Sequence, residues 1–318
     1  MQGIYGKRCA EQSRLLSTDG KLDPSMVPRY PLFMIAAMEL GGTKTVVAIG
    51  KSDGTLGEEY RFPTTKPEET FRTAIEWFSS KGTPTGIGIA AFGPVQINPK
   101  AANWGDILPT PKPNWSGFSI TKPLLEAFPG VKITLETDVN AACLAEARIG
   151  AGAGLENVVY ITIGTGIGAG VLCDGRLLHG ALHPEFGHVL LPRKDGDDFK
   201  GTCPFHNDCL EGMASGPAIE QRWGTPGGQL PPDHPAWDTE AWYLAHGIQA
   251  LLAIAPPERV VIGGGVSQVE GLHKKTEELL RKLAAGYFPA VENSPYVVAP
   301  KFDQEAGIKG ALMLTGLT

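Results

Sequence analysis

Apolar residues in this chain fall into two rhythms. One is the short unbroken run that stops at glycine, the signature of a buried strand feeding a turn. Ile35 to Ile49 reads as strand, Gly41-Gly42 turn, strand. Gly86 to Phe92 is a strand stopped by Gly93-Pro94, and Val131 to Glu136 is another. Val158 to Ile163 runs into a loop with glycine at 164, 166, 168 and 170, and Asp174-Gly175 then closes a hairpin. Arg259 to Ile262 ends on Gly263, Gly264 and Gly265, and Tyr296 to Ala299 is a last strand. The second rhythm is helical. Phe71, Ala74, Ile75 and Phe78 share one face, with Thr65 and Glu68 spaced as a capping box. Further helices are predicted over 141–147 and about 239–254, 270–285 and 305–315. Two stretches have no period. Residues 1–33 read as a flexible extension or added tail. Residues 96–118 form a long irregular loop whose Trp104, Trp115 and Phe118 suggest an ordered, substrate-facing segment.

A glycine turn at a strand end lets a ligand reach the backbone amides, and amides facing one way favour an anion. Gly164-x-Gly166-x-x-Ala169 also matches a relaxed dinucleotide fingerprint, with Glu185 downstream. That fingerprint needs a helix directly after the glycines, whereas a second strand follows here. No G-x-x-x-x-G-K-[ST] occurs, so a Walker loop is excluded. A single such turn could be a bare hairpin. Three of them, at Gly41-Gly42, Gly164-Thr165-Gly166 and Gly263-Gly264-Gly265, resemble the two phosphate motifs and the adenosine motif of the actin-like (actin/hexokinase) ATPase fold. That resemblance implies an α/β chain of two lobes, each an RNase H-like β-meander plus helices.

Composition narrows the partners. The 318 residues suffice for two cores, and 42% hydrophobic with 19% charged content is that of an ordinary globular protein. A net charge of −6 argues against a nucleic-acid surface. No apolar run has the length of a membrane span, and the first residues lack a secretory core. Five scattered cysteines do not form a disulfide framework, and the expected compartment is the reducing cytoplasm.

Chemistry concentrates at a few positions. Asp138 stands at a strand-to-helix junction. It could be a simple N-cap, or a general base at the strand's cleft edge, taking a proton from a hydroxyl that attacks phosphorus. Glu39 would lie near metal-bound phosphates, and Thr43 and Lys44 near their oxygens. His188, Cys203, His206 and Cys209 carry two imidazoles and two thiols, a tetrahedral donor set for structural zinc. The alternatives are buried cysteines beside surface histidines, or a Cys203–Cys209 disulfide. His183 reads as a structural spare. Glu185 and Glu211 bracket the knuckle and could accept hydrogen bonds from sugar hydroxyls.

From about Ile35 to Gly316 the chain resembles the ROK family of sugar kinases, and within it the zinc-containing bacterial fructokinases. The resemblance is carried by Glu39-Leu40-Gly41-Gly42-Thr43-Lys44, Phe92-Gly93-Pro94, Thr137-Asp138-Val139-Asn140, Gly164-Thr165-Gly166-Ile167-Gly168, His183-Pro184-Glu185-Phe186-Gly187-His188, Cys203 to Gly212, and Gly263 to Val266. It implies transfer of phosphate from Mg2+-bound ATP to a hexose, D-fructose at C6 first among them, with Asp138 as base and a structural Zn2+. ATP and magnesium would be held by Glu39, Gly41, Gly42, Thr43, Lys44, Gly164, Thr165, Gly166, Gly168, Gly263, Gly264 and Gly265. The sugar would meet Gly93, Pro94, Asn103, Asp106, Thr137, Glu185 and Glu211. Most of the family holds zinc with one His and three Cys; His206 departs from that here, as in the fructokinase branch. Glu39 stands where Asp is usual, and Thr137 where glucokinases of the family have Asn, which weakens the case for glucose. The resemblance also implies a homodimer. The expected lobes are 34–140, with 305–318 packing back onto it, and 141–304, with the insert 183–212. Other hexose kinases of the family and its sugar-sensing repressors are the competing readings, the latter opposed by the short aperiodic N-terminus.

Overall fold

The computed structural model describes residues 34–317. The extension expected over 1–33, with Cys9, lies outside the described residues. The first sheet is built from β1 (Ile35–Leu40), β2 (Lys44–Gly50), β3 (Leu56–Pro63), β4 (Gly86–Ala91) and β5 (Lys132–Thr137), in the order β3-β2-β1-β4-β5. The second uses β6 (Val158–Ile163), β7 (Ile167–Cys173), β8 (Arg176–Leu177), β9 (Arg259–Gly263) and β10 (Val297–Val298), in the order β8-β7-β6-β9-β10. The two orders are the same pattern twice. In each, a three-strand antiparallel meander is extended by two parallel strands. Strands β1, β4, β6 and β9 are buried along nearly their whole length, which is why they read as unbroken apolar runs.

Helix α1 (Pro67–Lys81) buries Phe71, Ala74 and Phe78 against the first sheet, as its periodicity predicts. Its cap differs from expectation. Pro67 opens the helix after Lys66, and Thr65 instead binds Glu69 through its hydroxyl. A short helix α2 (Lys122–Ala127) precedes β5, and α3 (Asp138–Ile149) follows it. In the second half come α4 (Leu210–Ala214), α5 (Gly216–Trp223), α6 (Ala236–Leu252), α7 (Leu272–Ala284) and α8 (Ala306–Leu314). Helices α6 and α7 cover one face of the second sheet in a core that includes Leu244, Ile248 and Leu280.

The central helices change sides. Helix α3 follows the first sheet but packs on β6 and β7; α8 ends the second half but packs on β1, β2 and β4. Contact is close because small residues sit at the crossings. A Cβ at Gly170 would lie 2.4 Å from the Val139 carbonyl oxygen, one at Gly88 1.8 Å from that of Ala311, and one at Gly310 1.8 Å from that of Ala141. The irregular stretch after β4 stays irregular; Trp104 lines a hollow with Glu136 and His179, whereas the other aromatics pack inward. Trp115 is fully buried against Phe71, Phe92 and Phe118, and its indole donates to the Thr65 carbonyl. The loop is ordered by the lobe's own core.

Candidate active site

Between the sheets runs a cleft of about 430 Å3 lined by Glu39, Lys44, Asp138, Tyr160, Gly264, Gly265, Gln268, Asp303 and Gln304, among others. Its walls combine the β1–β2 turn, the turn after β9, the start of α3 and the approach to α8. Gly41 closes the β1–β2 turn, where a side chain would strike the Lys44 carbonyl at 2.7 Å. Gly42, Gly164 and Gly265 each have open space where a Cβ would stand, so a ligand can approach the backbone of all three turns. Gly264 has φ +89° and its missing Cβ lies 2.3 Å from the Ile163 carbonyl oxygen, so the third turn needs glycine to close on β6. Two glycines of the same motifs have a packing reason instead. Gly168 is within β7 and makes room for Val139; Gly263 ends β9 against the Tyr160 hydroxyl. Among residues expected to touch phosphate, Thr43 and Thr165 are exposed at turn tips, and Lys44 reaches Gln304 Oε1 at 3.5 Å.

Asp138 is not the N-cap of α3. Thr137 is, its hydroxyl accepting from the Asn140 amide at 3.1 Å. Asp138 is thus the first helical residue, and one carboxyl oxygen accepts its neighbour Val139's amide at 2.9 Å. Burial of the carboxyl in the cleft wall raises its pKa to about 6. Glu39 lies close enough to feel that charge. Burial first and Asp138 second push Glu39 up to about 7. Its Oε2 is buried without a hydrogen-bond partner, and the side chain rests on Gly307, where any Cβ would collide with it. Two neighbouring, partly buried carboxyls, one with a buried oxygen that lacks a partner, leave a place suited to a cation.

Glu185 stands near Asp138 with 43% of its side chain exposed; partial burial, then the charges of Glu211 and Asp138, raise its pKa to about 7. Its Oε1 lies 3.4 Å from Nδ1 of His183, whose Nε2 accepts from the Val95 amide at 3.3 Å. Those two contacts fix the tautomer, with the proton on Nδ1, and burial lowers the pKa of this buried histidine. His183 is therefore more than a spare: it ties Glu185 to the strand end at Gly93-Pro94. A Cβ at Gly93 would sit 3.2 Å from His183. Glu211 is engaged too. Its Oε2 accepts the Ile167 amide at 2.9 Å and lies 2.6 Å from where a Gly166 Cβ would be, so it pins the second glycine turn. Asn103 is exposed on the loop, and neither its side chain nor that of Asp106 makes a hydrogen bond among the described residues. Thr137 is buried with its hydroxyl spent on the cap.

The four knuckle residues converge. The ligand atoms of His188, Cys203, His206 and Cys209 all lie within 4.8 Å of one another. Cys203 Sγ is 3.8 Å from Nδ1 of both histidines, and Cys209 Sγ is 3.6 Å from Nδ1 of His188. Zn–S and Zn–N bonds of about 2.3 and 2.1 Å at tetrahedral angles require S···N edges of roughly 3.6 Å, so the donors stand where such an ion needs them. Both sulfurs are free thiols, which removes the Cys203–Cys209 disulfide. His188 turns its other nitrogen, Nε2, toward Glu185 Oε2 at 3.9 Å, close but longer than a hydrogen bond.

Beyond the cleft a second hollow of about 560 Å3 continues past Gly265 and Gln268, lined by Gly164, Thr165, Gly216, Pro217, Glu220, Pro226 and Trp237. Its apolar wall suits a flat aromatic base. Sequence reasoning missed Gly216 and Pro217 here; the Gly-Pro pair at the start of α5 was the available signal.

A duplicated sheet with glycine turns from both halves on one cleft, and a buried acid facing them, defines the actin-like class of nucleotide-dependent phosphotransferases. The chain belongs to the ROK family, whose model matches residues 35–316. It is 41% identical over 286 residues to a fructokinase of Zymomonas mobilis, covering 87% of this chain and 94% of that protein. A fructokinase of Pediococcus pentosaceus is 37% identical over 281 residues, covering 88% and 97%. Among solved structures, a ROK hexokinase from Thermus thermophilus superposes with a TM-score of 0.73 at 28% identity, covering 89% of this chain and 97% of that one. Among the described residues no helix is long and apolar enough to cross a membrane.

Proposed function

We propose that this protein is an ATP-dependent fructokinase, moving the terminal phosphoryl group of ATP to the C6 hydroxyl of D-fructose. The carrying observation is Asp138. Its carboxyl lines the cleft with Glu39, Lys44, Gly264 and Gly265, is close enough to Glu185 to add to the rise that burial gives that residue's pKa, and with its own pKa of about 6 suits a base at neutral pH. The fructokinase relatives supply the substrate. In the reaction the sugar oxygen bonds to phosphorus while the bond to the bridging oxygen of ADP breaks, its electron pair leaving with ADP. Asp138 takes the hydroxyl proton. Backbone amides around Gly42, Gly164 and Gly265 hold the phosphates, and the hollow beside Gly216 and Trp237 takes the base. Glu185, held by His183, orients the sugar; Glu211 serves the second turn more than the sugar.

Glu39, with its orphaned oxygen, is the residue suited to magnesium, directly or through water; the ion would neutralise charge on the transferring phosphate. The donor set at His188, Cys203, His206 and Cys209 fits zinc. Zinc there would hold His188, and through it Glu185, making the knuckle a staple for the sugar side. Residues 34–140 and 141–304 would act as two lobes closing on the substrates, each with its own core.

The test is ADP release by the purified protein with Mg-ATP against fructose, mannose, glucose, N-acetylmannosamine and N-acetylglucosamine. Fructose is expected to give the highest kcat/KM; another preferred hexose removes the fructokinase assignment, and no turnover on any removes the kinase reading. Elemental analysis of protein purified without chelator should find one zinc per chain.

A further inference from the structure

The loop between β4 and α2 brings one cation to the phosphate side. The Lys112 ammonium donates to the carbonyl oxygen of Gly42, the open glycine of the first turn. It also stands 5.9 Å from the ring centroids of Phe92 and of Trp115. Phe92 immediately precedes Gly93-Pro94, the strand end that meets His183 and Glu185. The lysine head thus sits between the turn that would carry the terminal phosphates and the strand end that would carry the sugar. Among the described residues it has no carboxylate within ion-pair distance. One neutral carbonyl and two ring faces hold it, partners weaker than an anion. The buried Trp115 anchors the chain three residues on, so the head is aimed by the core and not left to sweep through solvent.

We propose that Lys112 supplies positive charge to the phosphoryl group in flight, leaving the Gly42 carbonyl to donate to the non-bridging oxygens of the terminal phosphate. This rests on the phosphotransferase reading above. Lys112 moves no proton: the hydroxyl proton goes to Asp138, the new bond joins sugar oxygen to phosphorus, and the electron pair of the broken bond leaves on ADP. The lysine's part is charge that is worth more as the phosphoryl group loosens from its leaving oxygen. Lys44 approaches the same turn from β2, where its charge also acts on Glu39, so a second lysine stands beside the turn.

Lys112→Met, Lys112→Gln and Lys112→Arg in the full chain test this. Removal of one preorganised donor costs about 100-fold or more in kcat. Both neutral variants are expected to lose that much, with the fructose KM within about threefold and the melting temperature unmoved, and Arg to regain at least about tenfold. Calorimetry should show the β,γ-imido analogue of ATP binding about tenfold more weakly to the neutral variants, with ADP unchanged. Retained turnover, or ADP weakened as much as the triphosphate, would make Lys112 a latch on the turn and overturn the proposal. If the wild-type protein phosphorylates no hexose, the proposed function falls. The triphosphate-to-diphosphate comparison then still decides Lys112: an unchanged ratio overturns it.

Discussion

Replacing Asp138 by Asn should remove turnover and stabilise the protein. The carboxyl ionises near 3.8 in an unfolded chain and near 6 in the cleft. Each tenfold of that displacement is worth 1.36 kcal/mol, so holding the ionised form in the fold costs about 3 kcal/mol. The raised value fixes the sign. The cost is absent below pH 3.8, grows as pH rises and is complete above about 6. Asn keeps the shape, can still accept the Val139 amide, and carries no charge. It should therefore raise the melting temperature by about 5 °C at pH 8, on an unfolding entropy of about 0.6 kcal/mol/K for a chain this size. At pH 5 only about half of that should remain. Loss of the base should lower kcat by about 100-fold or more. Calorimetric melting of both proteins at pH 5 and 8, with kcat measured alongside, decides it. A variant no more stable than the parent at pH 8 would refute the buried, ionised carboxyl, and near-parental kcat would refute the base.

Wild-type kcat/KM should itself climb with pH through about 6 as Asp138 ionises, a limb visible in a pH–rate profile between 5 and 8. Gly310→Ala places a methyl 1.8 Å from the Ala141 carbonyl oxygen and should cost about 1–3 kcal/mol, read by urea unfolding. Cys209→Ser should lower zinc content and raise the fructose KM while ADP affinity, measured by calorimetry, stays within about twofold, because the knuckle braces Glu185 and not the far hollow. His179 binds Glu136 at 2.7 Å, and that contact raises its pKa above 6.5. The stability it contributes is full below 6.5 and lost as pH rises through the raised value, and Glu136→Gln should flatten that dependence in melts across pH 5.5–8.5.

Much of this was legible because glycine and cysteine announce themselves. The three turns could be read from runs such as Val158–Ile163 breaking at Gly164, since a strand buried on both faces leaves no polar positions to blur the signal. The knuckle could be read because one local segment supplies three of its four ligands. What stayed hidden depends on distance. Thr137 and Asp138 are both favoured N-cap residues, so sequence alone leaves the cap between them, and the orphaned oxygen of Glu39 is packed on Gly307, far along the chain. Lys112 is equally silent in an aperiodic loop; its position follows from the burial of Trp115. Glu211 reads as a sugar ligand in sequence; that it also accepts the Ile167 amide, 44 residues back, shows only in the fold.

The exchange of helices between the halves has a consequence for synthesis. The face of the first sheet formed by Ala37, Val46, Ala48 and Ala90 is covered by Ala141 and Leu144 of α3 together with Ile308, Ala311, Leu312 and Leu314 of α8. Because α8 follows the whole second half, that sheet has only part of its cover until the second half has been made. In that interval its alanine-rich face is open to chaperones and to other nascent chains.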